Sequence, residues 1–346
     1  MTSFAASRLT DWAREAGAQL EPIEIRADGG GSRGLFTRRD VRAGELLMRI
    51  PKRMVITHEV MVEMPACETL GAFEGKLHSQ YVMHAVWLGA ERGNVASPWR
   101  AYLEALPASF AYMPTLRTDE DLAALDGTRA LEMVLRRRQE LRADLTVVTD
   151  LLDEARDIPR GDMIWGNHAA RSRGFKMPDG SRPALVPVAD MANHGAPNAT
   201  FDFVDGGDFE VRATADLAVG VEVLHSYGQF SNARWLAGYG FALPDNPDDE
   251  VVLELDGSPV FIGAADDDRM TIARSLAARE LGRWDDDAIA TTIASAARRA
   301  ADRIAAAPLP AESDAAWRAT CELVRAGERA VLSANLSNLT NFTPSP

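Results

Sequence analysis

At 346 residues, 46% hydrophobic and 25% charged, the chain can bury one large core or two lobes and has the composition of a soluble globular protein. No run approaches the roughly 20 apolar residues that a membrane helix requires. The opening segment is interrupted by Arg8, Asp11, Arg14 and Glu15, so a membrane span and a secretory leader are excluded and a cytoplasmic protein is expected. A formal net charge of -14 argues against binding along a nucleic-acid backbone and leaves another protein as the expected partner.

The first segment has the spacing of an amphipathic helix (Phe4, Leu9, Trp12, Ala13) ended by Gly17. Short strand-like runs follow at Pro22 to Ile25, Gly34 to Thr37, Glu45 to Ile50 and Met54 to Ile56. Turn signals at Asp28 to Gly31, Ala43-Gly44 and Pro51 separate them. His78 to Glu91 and Thr128 to Glu154 carry apolar residues at helical spacing. Strand character returns between Ala184 and Leu224. There Ala184 to Val188 reads as a buried strand, and Phe201 to Phe203 and Phe209 to Val211 flank the turn Asp205-Gly206-Gly207-Asp208 as a hairpin. Beyond Asp266 an Ala- and Arg-rich stretch predicts helices to about Leu336, interrupted at Pro308 to Pro310. The order β, α, β, α is not the regular alternation of a doubly wound sheet.

Two stretches carry polar residues at strand ends, where loops held by rigid elements bind ligands. One is Leu185 to His194, ending in Asp190-Met191-Ala192-Asn193-His194. The other is Val223-Leu224-His225-Ser226-Tyr227-Gly228, followed by Ser231-Asn232, which can cap the next helix. Elsewhere Gly34-Leu35-Phe36, Arg39-Asp40-Val41, Gly44-Glu45, Ser172-Arg173-Gly174-Phe175, Tyr239-Gly240-Phe241 and Arg325 to Leu332 stand in the same order along the chain. Together these segments resemble the SET domain, and in particular its Rubisco large-subunit lysine methyltransferase-like branch.

The resemblance implies an α+β fold of small twisted sheets with a pseudoknot, a helical insertion and an all-helical C-terminal lobe. On this sequence it implies a first SET part over 1–60, a helical insertion over 61–180, a second SET part over 181–245 and a helical substrate-binding lobe over 246–346. It implies an S-adenosylmethionine-dependent methyltransferase acting on a lysine of a non-histone protein, with no metal. Tyr227 would be the catalytic tyrosine, and Asn193 and His194 would hold the cofactor, largely through backbone groups. Asp190 and Met191 would shape the same pocket, Arg173 would meet the cofactor carboxylate, and Gly240-Phe241 would close over the adenine. Arg33 and Gly34 stand where the family has Gly-x-Gly, here Ser32-Arg33-Gly34, and Gly31 offers a one-residue shift.

Methyl transfer to an amine is an in-line displacement, so it depends on positioning and desolvation. A free lysine has a pKa near 10.4 and must lose its proton first. An apolar channel beside a positive sulfonium favours the neutral amine. Histidine-methylating relatives of the branch carry Asn and Trp where this chain has Phe175 and Ala189, a pair that suits a lysine channel. A histidine or α-amine methyltransferase is the alternative, and a non-catalytic SET-like binding module is a second.

Gly30-Gly31-Ser32-Arg33-Gly34 matches a hydrolase nucleophile elbow in letters, but Leu35-Phe36-Thr37 continues as a strand where that motif needs a helix. His78 and His84 are expected to be a surface pair, and Cys67 and Cys321 buried thiols.

Overall fold

The computed structural model describes residues 3–27, 33–71, 76–263, 267–310 and 314–340. The turn expected at Asp28 to Gly31, and Ser32, lie outside them. The chain forms two compact units, Met1–Phe110 with Glu140–Gly228 and Ala111–Gln139 with Gln229–Pro346.

In chain order the elements begin with α1 (Ser3–Glu15), β1 (Ile23–Ala27), β2 (Arg33–Thr37) and β3 (Leu46–Ile50). Helices α2 (His58–Met61), α3 (Pro65–Gly71), α4 (Val82–Gly93), α5 (Arg100–Ala105), α6 (Asp119–Leu122), α7 (Arg129–Leu151), α8 (Asp153–Arg156) and α9 (Arg160–Arg171) follow. Then come β4 (Asn193–His194), β5 (Ala199–Phe203), β6 (Phe209–Ala213), β7 (Glu222–His225) and α10 (Asn232–Tyr239). The remainder is β8 (Glu250–Leu255), β9 (Ser258–Gly263), α11 (Asp267–Leu281), α12 (Asp286–Ala306) and α13 (Ala315–Thr340).

The first unit holds two small sheets, ordered β1-β2-β7-β4 and β3-β6-β5. All pairs are antiparallel except β4 with β7, which run parallel with Asn193 opposite Leu224 and His194 opposite His225. The hairpin expected around Asp205 to Asp208 is the β5–β6 pair, with Phe203 opposite Phe209. Helix α1 buries Leu9 and Ala13 as its spacing predicts, while Phe4 stays exposed. Helices α4 and α9 pack closely because Gly89 and Gly166 stand at the contact. A Cβ on Gly166 would lie 2.9 Å from the Ala85 carbonyl and from Leu88 Cβ.

Two expected strands are not formed. Met54 closes a 3-10 turn, Lys52–Met54, because Pro51 supplies no N–H to continue β3, and Ile56 makes only a bridge to Leu185. Ala184 and Leu185 likewise make isolated bridges, to Phe175 and Ile56. The chain then turns sharply at Val188, whose φ of 76° and ψ of -51° are rare for a β-branched residue. The apolar run 184–188 is buried, but from both sides and without a ladder, which an apolar run alone does not distinguish from a strand. His84 is buried too, not on the surface, with Nε2 2.7 Å from the Pro183 carbonyl oxygen. Burial lowers its pKa to about 4. Cys67 and Cys321 are buried free thiols, each pushed up to about 12 by burial.

The second unit has a helical core with one addition to the expected all-helical lobe, the β8–β9 hairpin. Its turn is Asp256-Gly257, with both residues at positive φ (49° and 65°), the backbone that an Asp-Gly pair accepts most easily. Val251, Leu253, Leu255, Val260 and Ile262 of this hairpin pack on Ile289, Ile293 and Ala297 of α12 and on Val331 and Leu332 of α13. A second cluster joins Val134 of α7, Leu236 of α10 and Trp317, Cys321 and Val324 of α13. Among the described residues no helix is long and apolar enough to cross a membrane.

Candidate active site

In the first unit, α9 is followed by Ser172-Arg173-Gly174-Phe175, and the Gly174 N–H donates to the Ala170 carbonyl at 2.8 Å. Phe175 and Ala184 then exchange two backbone hydrogen bonds of 2.9 Å, which fixes where the Phe175 ring starts. Arg173 Nη1 donates to the Asp190 carbonyl at 2.7 Å and lies 3.8 Å from Asp190 Oδ2. Its Nε is buried and has no hydrogen-bond partner among the described residues, nor has Asp190 Oδ1. The hydroxyl of Tyr102, on α5, donates to Asp190 Oδ2 at 2.7 Å. Burial raises the Asp190 pKa, opposed by Arg173, Tyr102 and Arg33, and raises that of Tyr102 well above its ordinary value.

Asp190 and Met191 form a 3-10 turn, Ala189–Met191, directly after Val188. Ala189 is fully buried within it. Arg33 Nε donates to Met191 Sδ at 2.9 Å. Asn193 spends its side chain on the scaffold, with Nδ2 donating to the Arg33 carbonyl at 2.7 Å and to Glu222 Oε1 at 2.8 Å. Gly34 is glycine because these groups crowd it. A Cβ there would overlap Glu222 Oε1 and stand 3.1 Å from Asn193 Nδ2. Asn198 ties the same strand again, donating to the Glu222 carbonyl and accepting from the Leu224 N–H.

The parallel β4–β7 pairing brings His194 against Tyr227, with ring centroids 5.4 Å apart. His194 Nδ1 accepts the Tyr227 backbone N–H at 3.2 Å, so this nitrogen carries no proton. Burial lowers the His194 pKa, which keeps its ring neutral near pH 7. The Tyr227 hydroxyl donates to the Ala192 carbonyl at 2.6 Å. Around it stand three more half-buried rings. His225 is 4.4 Å from Phe201, 5.5 Å from Phe175 and 5.9 Å from Tyr227, centroid to centroid. Phe175 also stacks near-parallel on Phe201 at 6.2 Å.

Nine of the residues singled out from sequence thus form one connected constellation in the first unit: Arg33, Gly34, Arg173, Phe175, Asp190, Met191, Asn193, His194 and Tyr227. Gly240 and Phe241 belong to the second unit. There Gly240 ends α10 with φ of 83°, and Phe241 stacks on Trp235 at 5.3 Å. The Ser231 side chain does not cap α10 as its position suggests. Asp249 Oδ1 instead accepts the first helical N–H, from Asn232, at 2.5 Å.

Tyr102, Glu222, Phe201 and His225 were missed from sequence. Tyr102 lies 88 residues from Asp190 on the short helix α5, and no local pattern marks it. His225 could have been found, because strand periodicity puts it on the same face as Tyr227.

A SET-domain family profile matches residues 32–228, more than half of the chain. An actin-histidine N-methyltransferase of Danio rerio is 28% identical over 271 residues, covering 72% of this chain and 44% of that protein. A chloroplastic [fructose-bisphosphate aldolase]-lysine N-methyltransferase of Arabidopsis thaliana is also 28% identical over 271 residues, covering 73% of this chain and 54% of that protein. The chain spans about half the length of these curated relatives. The structure of Rubisco LSMT bound to AdoMet superposes with a TM-score of 0.78 at 19% identity, covering 98% of this chain and 92% of that one. The SET domain of LSMT bound to lysine and AdoHcy gives 0.75 at 18% identity, covering 98% and 91%. Small paired sheets, the Asn193-His194 strand beside Tyr227 and the match over residues 32–228 are then parts of one fold, and the chain belongs to the SET-domain family.

Proposed function

We propose that the chain is an S-adenosylmethionine-dependent protein N-methyltransferase that acts on a lysine side chain of a non-histone protein. The observation that carries this reading is the Tyr227 hydroxyl, anchored on the Ala192 carbonyl at 2.6 Å, beside Asn193-His194 and among half-buried aromatic rings. The buried Arg173 Nε supports the cofactor assignment, since it is a fixed cationic donor awaiting an acceptor, and a carboxylate suits it. S-adenosylmethionine, when bound, supplies the electrophilic methyl group.

The chain's own residues do the rest. Arg173 Nη1 is held by the Asp190 carbonyl, so Nε remains to bind and orient the cofactor carboxylate. With Asn193 Nδ2 committed to the Arg33 carbonyl and Glu222, the side chain is held on the scaffold and the main chain of Asn193 meets the ligand. The faces of Phe175 and Phe201 exclude water from the target amine, and that desolvation favours its neutral, nucleophilic form. Tyr227 gives its proton to the Ala192 carbonyl, so its oxygen meets the amine N–H as an acceptor and orients the nitrogen. The neutral His194 adds no charge that would repel the substrate.

A histidine target is the second reading, favoured by the relatives named actin-histidine N-methyltransferase. Phe175 and Ala189 support lysine over it. The test is transfer of labelled methyl from S-adenosylmethionine into lysate proteins, followed by acid hydrolysis and separation of methylated amino acids. Label in methyl-lysine that disappears with Tyr227→Phe is the expected result. Label in methyl-histidine would establish the second reading. A wild type that transfers no label and binds no cofactor would leave a non-catalytic binding module.

A further inference from the structure

The rings around Tyr227 are not chemically equivalent. Phe175 and Phe201 offer only π faces, which attract a cation but accept no N–H in the ring plane. The Tyr227 hydroxyl is already anchored on the Ala192 carbonyl. His194 Nδ1 already accepts the Tyr227 backbone N–H, and His225 is the other ring of the group with a nitrogen lone pair in its plane. It ends β7, in register with His194, and its ring lies 4.4 Å from Phe201 and 5.9 Å from Tyr227. Its side chain is half-buried and makes no hydrogen bond to any described residue.

On the methyltransferase reading above, we propose that His225 is a specificity-determining residue, whose imidazole accepts a hydrogen bond from the side-chain nitrogen of the target lysine. An imidazole spent on packing alone would gain nothing over phenylalanine here, since aromatic neighbours surround it and no carbonyl or carboxylate anchors its nitrogens. Burial, with His194 adding to it and Asp202 opposing, lowers its pKa to about 4. At neutral pH the ring therefore accepts an N–H instead of repelling a cation. The same low basicity makes it a poor proton acceptor for an ammonium group, so its role is to place the nitrogen and not to deprotonate it.

Free L-lysine serves as the probe, titrated by calorimetry into the protein saturated with S-adenosylhomocysteine. His225→Phe keeps a ring of similar size and removes the acceptor, and His225→Asn restores an acceptor on a shorter side chain. Loss of one hydrogen bond to a charged partner predicts about a tenfold or greater weakening of lysine binding in His225→Phe. His225→Asn should fall between it and wild type, and S-adenosylhomocysteine affinity should stay within about twofold in both. A merely packing residue would leave Asn as damaging as, or worse than, Phe. Lysine binding unchanged in His225→Phe, or absent from the loaded wild type, overturns the proposal. Failure of the wild type to bind S-adenosylhomocysteine instead removes the methyltransferase reading on which it rests.

Discussion

The hydroxyl of Tyr102 donates to Oδ2 of Asp190 at 2.7 Å, and both side chains are buried in the first unit. Asp190 Oδ1 has no partner among the described residues, and Arg173 Nη1 stands 3.8 Å from Oδ2. Tyr102 is thus the short hydrogen bond to a carboxylate that has few alternatives. Tyr102→Phe keeps the ring and removes the bond, which should cost about 1–3 kcal/mol. Urea denaturation monitored by circular dichroism would read this as a lower midpoint with an unchanged slope. A midpoint equal to wild type would mean that Asp190 is not held by Tyr102.

Gly34 tests a different contact. A methyl group there would overlap Glu222 Oε1 and press on Asn193 Nδ2, so Gly34→Ala must break the bond between them or move β2 from β7. Overpacking of this kind costs about 1–3 kcal/mol. Thermal denaturation should show the loss, and S-adenosylmethionine affinity should fall with it, because the Asn193 main chain is held through this side chain. Gly44→Ala, next to open space at φ of 81°, reports backbone strain without a clash, whereas Gly34 is outside the positive-φ region and Gly34→Ala reports the clash.

The second unit contains a feature that weakens as pH rises, opposite in sign to the usual carboxylate. Burial raises Glu328 to about 8, although it accepts the N–H groups of Arg129 at 2.9 Å and Ala130 at 3.2 Å at the start of α7. Burial raises Asp249 as well. A carboxyl group with a raised folded-state pKa binds its proton more tightly folded than unfolded. Its contribution is full below the ordinary value near 4.5 and is lost as pH rises through about 8. Stability should therefore decline between pH 5 and pH 9, by on the order of a few kcal/mol. Glu328→Gln should flatten that decline in a series of melts, and a slope unchanged by the substitution would contradict the assignment.

Much of the site was legible because it is local in sequence. Asp190 to His194 and Tyr227-Gly228 are short segments whose order along the chain carries the family resemblance, and the β5–β6 hairpin announced itself through Asp205 to Asp208. What joins these segments was not legible. Glu222 meets Asn193 across 29 residues and Tyr102 meets Asp190 across 88, and neither bond leaves a periodic trace. The run 184–188 misled because burial from both sides and membership of a sheet write the same apolar sequence. The β8–β9 hairpin was missed for another reason. Asp256-Gly257 between Val251 to Leu255 and Val260 to Ile262 is a strong turn signal that the alanine-rich helices after it overshadowed.

The most direct test of the account is calorimetric titration of S-adenosylmethionine into wild type and Arg173→Gln. The substitution keeps a polar chain of moderate length while removing the buried cationic Nε, which on the proposed reading meets the cofactor carboxylate. Wild type should bind with one site per chain, and Arg173→Gln should bind at least tenfold more weakly while melting cooperatively. A folded wild type that gives no heat of binding and no shift in melting temperature with S-adenosylmethionine would contradict the central claim.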